Sequence, residues 1–499
     1  APDLVSSFFS IQQQEIIPAC WFTPTSALDV SVAINIIREH GCHFAVKSGG
    51  HATNARMSSA EGGVTIDMRL FDSVELLGEA GDGEGEVTRI GTGGRWGEVY
   101  KKLEPYGKTV VGGRDRRVGV GGLMLGGESP RGISFISRRN GWAIDNVLNY
   151  EVILANGTIA QISQPTAPDL YWALRGGGNN FGIVTHFDLA TYPLTQAWGG
   201  YNFYLLSDIS SRMASLSLPP APPFTLTTKA LSTLGSLINA GACKLGYCIT
   251  ISDWLNAYLS ILQKEQYDID AQLIVALAYV PGLDLWTAFA NNIYAKPVPN
   301  PPVFSALKKL PHVYSSNRVA NFSSYHKELN DWNEGGYRQV WSALSIKPNF
   351  ELMQKLVDIF IEESESIKHV KDFMPSTVFQ AITDEISHMS RNGGNCLGLK
   401  AEDAPILVYS FTIRYNLRPE GKEDELVEAA GKRIVDRSIA VAKEMGLWHP
   451  YVYLNYADVS QDVFAGYGKK NRQRLRAIQQ KWDPEGVFGA RLQPGGFKV

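Results

Sequence analysis

The run Lys47-Ser48-Gly49-Gly50-His51 decides how this chain is interpreted, because it ends a short strand pattern in a glycine pair followed by a histidine. Glycine lets the backbone approach an anion closely, and successive backbone N–H groups form a concavity that binds phosphate. Further glycine loops before residue 185 are Gly91-Thr92-Gly93-Gly94, Gly112-Gly113, Gly119-Val120-Gly121-Gly122, Gly126-Gly127 and Gly176-Gly177-Gly178. So many loops of one kind predict a region that holds a phosphate-bearing ligand.

None of the common nucleotide-binding or hydrolase motifs is complete at these loops. The dinucleotide fingerprint would need glycine where Met124 or Trp96 stands, and a P-loop would need glycine where Lys102 stands. The nucleophile elbow of serine hydrolases would need glycine where Arg131 stands. Because these motifs are incomplete, the remaining interpretation is that the glycine loops bind a diphosphate on a different scaffold.

Composition and charge are those of a globular protein without a nucleic-acid or membrane partner. The chain of 499 residues is long for one core, and 44% hydrophobic with 19% charged residues gives no sign of overall disorder. A net charge of -3 provides no broad basic surface for nucleic acid or acidic lipid. The longest apolar run, at 273–280, is far shorter than the roughly 20 residues of a membrane span. The oligomeric state stays open.

Cysteines and sequons bear on metal binding and on the cellular compartment. The five cysteines are too few and too scattered to predict a disulfide framework. The histidines and cysteine at 40–43 lack a second ligand pair at zinc-like spacing, so no metal site is predicted. The chain begins at Ala1 rather than at methionine, which fits a processed mature form. Sequons at Asn156 and Asn321 favour secretion only slightly over the cytoplasm, and the compartment stays open.

Helix and strand patterns divide the chain into three segments of α+β character. Residues 1–195 read as short, glycine-punctuated elements, 196–440 as long helices alternating with strands, and 441–499 as compact again. The predicted elements are helices at 26–40, 96–103, 350–363 and 423–445, and strands at 44–46, 64–68, 87–91, 151–154, 158–162, 271–279 and 406–415. No internal repeat is present.

The strand at 406–415 is two-faced. Its apolar face carries Leu407, Tyr409, Phe411 and Ile413, which suits packing on helices, and its polar face carries Ser410, Thr412 and Arg414. The polar face is compatible with a pocket lining and also with an ordinary solvated surface.

Motifs in order at both ends of the chain carry a resemblance to a known family. In the first part they are Lys47-Ser48-Gly49-Gly50-His51, Val118-Gly119-Val120-Gly121-Gly122, Asp145-Asn146-Val147 and the run from Leu174 to Val184. In the last part they are Tyr453-Leu454-Asn455-Tyr456-Ala457-Asp458, Tyr467-Gly468 and Asp483-Pro484-Glu485-Gly486-Val487-Phe488. The first set resembles the PCMH-type FAD domain of the vanillyl-alcohol oxidase superfamily. The second resembles the closing segment of berberine-bridge-enzyme-like oxidases. The run 391–395 resembles the fungal members, which work in secondary metabolism.

The resemblance implies a two-part FAD-binding domain with a separate substrate domain. Residues 1–195 and the returning segment 441–499 would enclose FAD, while 196–440 would lay an antiparallel sheet, covered by helices, over the isoalloxazine. The positions that match the pyrophosphate cradle are Ser48, Gly49, Gly50, Gly119, Gly121 and Gly122. The positions that match the phosphate and adenine surroundings are Asn146, Gly182 and Val184, and Asn455 matches one at the flavin edge.

His51 matches the histidine that bonds to the flavin 8α-methyl carbon. The resemblance therefore implies covalently held FAD. Many relatives add a second link from a cysteine three residues before the Val-Gly of the second loop, and Asp115 occupies that position here. Because no cysteine lies between Cys42 and Cys243, we expect a single link through His51.

Two stretches depart from the family pattern. Relatives run from the second glycine loop directly into Ile-Ser-Phe, whereas Glu128-Ser129-Pro130-Arg131 is interposed here. The stretch 206–252, with a proline cluster and two cysteines, has no recognised counterpart. Each is compatible with a lineage-specific loop, a flexible insertion or a sequence that impairs cofactor binding.

The expected reaction is hydride removal from a small organic substrate, with O2 as the electron acceptor. The cofactor carries that step, while the protein supplies orientation and a base. On an extended strand Tyr453 and Asn455 would share one face and Tyr456 the other, and either tyrosine is a candidate base or a packing residue. A free tyrosine has a pKa of about 10, so it needs a neighbouring cation or a hydrogen bond to act near neutral pH, and Arg414 is one candidate for that role.

Three functions are consistent with the sequence. The leading one is oxidation of a small natural product. A carbohydrate oxidase is the second, although the absent flavin-linking cysteine speaks modestly against it. A protein that binds FAD structurally and catalyses a non-redox cyclisation is the third, because a fold does not determine a function.

Overall fold

The computed structural model describes residues 2–79, 85–127, 134–215, 237–263, 268–383, 393–418, 421–489 and 491–499. The strands, in chain order, are β1 Cys20–Phe22, β2 Phe44–Lys47, β3 Val64–Asp67, β4 Val74–Glu79, β5 Glu86–Gly91, β6 Lys108–Val110, β7 Val147–Ile153, β8 Ile159–Ser163, β9 Ile183–Pro193, β10 Gln196–Leu206, β11 Cys248–Ile249, β12 Ala271–Val280, β13 Leu285–Tyr294, β14 Tyr314–Ser315, β15 Arg318–Asn321, β16 Arg338–Ile346, β17 Met374–Ile382, β18 Ile406–Tyr415 and β19 Trp448–His449.

Helices lie between and over these strands. The α-helices are Pro2–Val5, Ile11–Gln14, Ala27–His40, Trp96–Leu103, Val120–Leu125, Ser137–Asn140, Pro168–Leu174, Ile209–Ser215, Ile251–Ile261, Ser305–Lys308, Phe322–Trp332, Phe350–Ser366, Glu423–Glu444, Val463–Gly466 and Lys469–Trp482. Short 3-10 turns are Glu104–Tyr106, Ile144–Asn146, Pro302–Phe304, Ala401–Asp403 and Leu454–Tyr456. The α+β class expected from the sequence is confirmed.

Two small sheets form the first part of the fold. The parallel sheet has the order β1-β3-β2, and the antiparallel sheet has the order β4-β5-β9-β7-β8 with β6 paired to β9. The helix Ala27–His40 packs on them, capped by the Ser26 side chain at its start and by Gly41 at φ 64° at its end. The core beneath this helix also contains Val487, Phe488 and Leu492 from the end of the chain. The last residues therefore pack into the N-terminal core.

A ten-stranded sheet forms the second part, in the order β11-β10-β13-β12-β17-β18-β16-β19 with β14 and β15 paired to β10. One of its faces packs on the helices Ile251–Ile261, Phe350–Ser366 and Glu423–Glu444. Alternation along β18 decides the orientation, because Leu407, Tyr409, Phe411 and Ile413 all lie in that helix-facing core. The opposite face of the sheet is thus directed towards the N-terminal part.

Two sequence expectations are affected by this architecture. Cys243 and Cys248 form a disulfide, although the cysteine pattern predicted no disulfide framework. The pair closes a short loop before β11, which pairs with β10 in parallel.

Three stretches discussed from the sequence lie wholly or partly outside the described residues. They are the interposed Glu128–Arg131, the residues 216–236 of the stretch 206–252, and the first two residues of the run 391–395. The domain boundaries at 195 and 440 stay predictions.

Within the described residues, each helix is too short or too polar to cross a membrane. The same ranges hold no group of three or more His, Cys, Asp or Glu side chains placed to bind a metal ion.

Candidate active site

A cavity of about 730 Å³ lies between the glycine loops of the N-terminal part and the free face of the ten-stranded sheet. This volume is within the range of small-molecule and cofactor sites. Most of the residues singled out from the sequence line it: Ser48, Gly49, Gly50, His51, Gly119, Gly121, Gly122, Gly182, Val184, Arg414, Tyr453, Asn455 and Tyr456. The polar side of β18 lines it too, through Ser410, Thr412 and Arg414, so the pocket interpretation of that face is correct.

Close packing explains the glycines of the two principal loops. A Cβ on Gly49 would lie 2.5 Å from the Gly119 Cα, and one on Gly121 would lie 2.2 Å from the Thr92 Oγ1. The Ser48 hydroxyl joins the loops, since it donates to the Thr92 carbonyl at 2.6 Å and accepts from the Gly121 N–H at 3.2 Å. Gly122 differs, because a Cβ there would meet nothing within 4 Å. Gly122 therefore faces open cavity, as a residue in an anion cradle must.

His51 is held in one orientation beside the cavity. Its ring stacks on Phe9 with the centroids 3.9 Å apart and the planes at 14°. Its Nε2 is buried and has no hydrogen-bond partner among the described residues, the nearest carboxylate oxygen being the Asp115 Oδ2 at 4.0 Å. Burial lowers the pKa of His51 below its ordinary value, against the opposing effect of Asp115. The imidazole is therefore kept neutral, the form that can act as a nucleophile.

Asp115 is the carboxylate at the position where relatives carry the second flavin-linking cysteine. Its Oδ1 accepts from the Arg117 backbone N–H at 2.9 Å, and its Oδ2 accepts from the Asn333 amide at 3.3 Å. These bonds hold the carboxylate beside His51 at the edge of the cavity.

The segment with the two candidate tyrosines is not a strand, so the expectation that Tyr453 and Tyr456 lie on opposite faces is wrong. Residues Leu454–Tyr456 form a 3-10 turn, which places residues three apart on the same side. The two rings are consequently in edge-to-face contact at 4.8 Å. The Asn455 amide donates to the Tyr453 hydroxyl at 2.9 Å and to the Leu123 carbonyl at 3.1 Å, which fixes the turn to the second glycine loop.

The cation that contacts Tyr456 is Arg114 rather than Arg414. The Arg114 Nη2 donates to the Tyr456 hydroxyl at 2.9 Å, inside the cavity. Trp341 buttresses Tyr456 from the sheet side, with ring centroids 5.3 Å apart. Sequence reasoning missed Arg114, and its only signal was a charged residue directly after the Gly112-Gly113 pair.

Arg414 lines the same cavity at a different place. Its guanidinium lies over the Tyr337 ring at 4.2 Å, contacts the Met374 sulfur at 2.9 Å and is 4.0 Å from the exposed Glu334 carboxylate. Its Nε is buried without a hydrogen-bond partner in the described part of the chain.

Asn146 does not line the cavity. Its side-chain amide donates to the Asn140 and Trp142 carbonyls, and its oxygen accepts from the Tyr192 hydroxyl at 2.5 Å. These bonds close the turn before β7. Its expected place beside the phosphate therefore stays a prediction.

The residues present fit FAD. The cavity offers a glycine cradle with open space at Gly122, a buried and unpartnered histidine nitrogen, and the aromatic and apolar face of a sheet. The cradle suits the diphosphate and the sheet face suits the flat ring system of such a molecule.

Comparison with known proteins gives the same result. The family model "FAD binding domain" matches residues 18–163, and the model "Berberine and berberine like" matches residues 452–492. The FAD-dependent monooxygenase FUP4 of Fusarium proliferatum is 34% identical over 506 residues, which cover 99% of this chain and 87% of that protein.

Solved structures share the fold. The xylooligosaccharide oxidase of Myceliophthora thermophila is 19% identical with a TM-score of 0.69, covering 99% of this chain and 94% of its own. The glucooligosaccharide oxidase of Acremonium strictum, which carries a 6-S-cysteinyl, 8α-N1-histidyl FAD, is 18% identical with a TM-score of 0.67 and the same coverages. This chain is accordingly an FAD-dependent oxidoreductase that belongs to the berberine-bridge-enzyme-like family of the vanillyl-alcohol oxidase superfamily.

Proposed function

We propose that this protein oxidises a small natural product, with FAD attached covalently through His51 alone and O2 as the acceptor. The single observation that carries the proposal is the Arg114–Tyr456 hydrogen bond of 2.9 Å inside a cavity with glycine loops on its other side. We place the FAD-binding parts in 1–195 and 441–499 and the substrate-binding part in 196–440.

The link through His51 is supported by the stacked, buried imidazole and its free Nε2. A single link is supported by Asp115, because a carboxylate at that position cannot form a cysteinyl bond. The bi-covalent FAD belongs to the Acremonium enzyme, and only its histidyl half has a matching residue here.

The chain would hold the cofactor along the cradle of Ser48, Gly49, Gly50, Gly119, Gly121 and Gly122, with Gly182, Val184 and Asn455 lining the rest and Asn146 supporting the turn before β7. The chemistry that bound FAD supplies is acceptance of a hydride from an activated C–H bond and delivery of two electrons to O2.

The protein's own part is proton transfer and positioning. Tyr456, acting as the phenolate, is the proposed base for the substrate O–H or N–H proton, because its oxygen lies in the cavity and receives a charge-assisted hydrogen bond from the Arg114 guanidinium at 2.9 Å. Tyr453 is the proposed partner that orients the reacting group, since its hydroxyl is fixed by Asn455 and its ring lies against Tyr456.

O2 as acceptor is supported by the name of the Fusarium relative, a monooxygenase, and by the names of the structural neighbours, which are oxidases. The neighbours' names also make oligosaccharide oxidation the second candidate. Asp115 at the position of the second flavin-linking cysteine speaks against it, because the Acremonium oligosaccharide oxidase carries that second link. A flavin-binding non-redox cyclase is the third candidate.

Acid precipitation of the purified protein tests the covalent link. We expect the yellow colour to stay with the precipitate of the wild type and to move to the supernatant for His51→Ala. Free flavin from the wild type would refute the link and leave the oxidoreductase assignment standing.

Anaerobic mixing with candidate substrates separates the remaining functions. Loss of the flavin absorbance with a natural-product alcohol or amine, and not with oligosaccharides, is the expected result. Bleaching by oligosaccharides would favour the second candidate, and product formation without bleaching would favour the cyclase.

A further inference from the structure

Arg414 is the one cation on the sheet side of the cavity among the described residues, and the protein neutralises it poorly. Its nearest carboxylate, on Glu334, is 60% exposed and 4.0 Å away. In the part of the chain that the structure describes, its one hydrogen bond is to the Met374 sulfur, which is a weak acceptor. A guanidinium that lines a cavity and has no oxygen at hydrogen-bond distance among those residues can receive one from a ligand.

The remaining charges of the cavity lie on the opposite side. Among the described lining residues, the charged groups besides Arg414 are Arg114, which is bonded to Tyr456, and Asp115, which lies beside His51. Within the described residues, the sheet side of the cavity therefore offers no carboxylate to pair with a substrate ammonium group. This charge distribution disfavours amines and favours an anion.

Beside the Arg414 row the sheet face is apolar or already hydrogen-bonded. In the adjacent row the Ser376 and Thr412 hydroxyls bond to each other at 2.9 Å, and in the row beyond it Phe203, Phe289, Ala276 and Val378 lie in register with Ser410. A ligand here would bury an apolar body and would find one charged group at its end.

The register of the sheet gives the span of such a ligand. Trp341, which contacts Tyr456, pairs with Thr412, and Arg414 is the next residue on the same face of β18. Alternate residues of a strand are roughly 7 Å apart. The anion would thus lie about 7 Å along the strand from the row that adjoins the proposed base.

We propose that the substrate is an apolar carboxylic acid whose carboxylate binds the Arg414 guanidinium while its apolar body extends over the Ser376–Thr412 row beside the tyrosines towards the row of Val378 and Ala276. This inference rests on the proposed function and narrows it. A planar guanidinium binds a carboxylate through two parallel N–H···O bonds, which explains arginine at this position.

The test uses the flavin-loaded protein and three ligands with one body and different ends: phenylbutyrate, phenylbutyramide and phenylbutylamine. Binding is followed by the change in the visible flavin spectrum and by calorimetry. Since a hydrogen bond to a charged group contributes about 1.5–3 kcal/mol, the carboxylate should bind roughly 10- to 150-fold more tightly than the amide. The amine should bind more weakly than the amide.

Arg414→Gln should abolish the preference for the carboxylate, and Arg414→Lys should keep part of it. Arg418→Gln removes the same charge from an exposed position just after β18 and should leave all three affinities unchanged. Equal binding of acid and amide to a wild type that holds flavin, or a preference that survives Arg414→Gln, would overturn the inference alone. A folded wild type without flavin would instead overturn the proposed function.

Discussion

Replacement of Arg114 by methionine tests whether the tyrosine is activated by this cation. The side chain is 7% exposed, so its hydrogen bond to Tyr456 is little weakened by solvent. A bond from a charged donor contributes about 1.5–3 kcal/mol, and its loss at the proton-transfer step corresponds to a decrease of roughly 10- to 150-fold in kcat/KM. Methionine retains most of the volume of the arginine stem, which limits the disturbance of packing.

The assay is stopped-flow reduction of the flavin by substrate, combined with a double-mutant cycle. Tyr456→Phe should slow reduction by 100-fold or more, the range of general-base contributions. Because Arg114 is proposed to act through the Tyr456 hydroxyl, Arg114→Met should have little further effect in the Tyr456→Phe background. Arg114→Lys should recover part of the lost rate.

Flavin content and the flavin spectrum of each variant must equal those of the wild type, so that a merely structural effect is recognised. Additive losses in the double variant would show that Arg114 acts independently of Tyr456. An unchanged rate in Arg114→Met would remove the arginine from the mechanism altogether.

Three further predictions concern the cofactor site and stability. Gly122→Ala should keep the melting temperature of the wild type but lose flavin, because a Cβ there meets no protein atom and would occupy the cavity. Gly121→Ala should lower both the melting temperature and the flavin content, because a Cβ there has no space. A flavin content in Gly122→Ala equal to that of the wild type would place the cradle elsewhere. Asp115→Asn should reduce the acid-stable flavin fraction, since Asp115 is the carboxylate nearest to the His51 Nε2; an unchanged fraction would make it a bystander. Burial lowers the pKa of His326 to about 3, so its stabilising effect is complete above pH of about 6.5 and decreases by about 1.4 kcal/mol per unit as the pH falls towards 3. His326→Phe should therefore flatten the acid limb of a urea-unfolding profile, and a parallel profile would contradict this.

Local patterns predicted the elements that hold the cofactor site because their signals are short-range. The helix at Ala27–His40 has a serine cap and a glycine stop, and β18 alternates apolar and polar residues from Tyr409 to Tyr415. The alternation alone could not distinguish solvent from cavity beside the polar face. The polar face lines a cavity because the N-terminal part lies opposite the sheet. That placement depends on contacts between residues far apart in the sequence, which a local pattern does not report.

The tyrosine segment shows why an alternating pattern misleads when the stretch is short. Tyr451, Tyr453 and Asn455 alternate as a strand would, but Tyr453 and Tyr456 are also three apart, which suits a 3-10 turn equally well. Hydrogen bonds from Asn455 to Leu123 and Tyr453 favour the turn, because they attach it to the glycine loop of a distant part of the chain. The choice between the two conformations is thus made by tertiary contacts.

Arg114 could not have been predicted by either kind of pattern. It lies 342 residues from Tyr456 in sequence, in a loop whose local features explain only the glycines around it. The position of the loop is nevertheless fixed, because Gly112 and Gly113 pack so closely on the Trp96 ring that neither has space for a Cβ. This packing fixes the backbone from which Arg114 extends into the cavity, while Asp115, the next residue, reaches His51. One rigid turn therefore places a cation at the proposed base and a carboxylate at the proposed attachment site, so a substitution that shifts Gly112 or Gly113 should weaken flavin attachment and turnover together, although neither glycine touches a reacting atom.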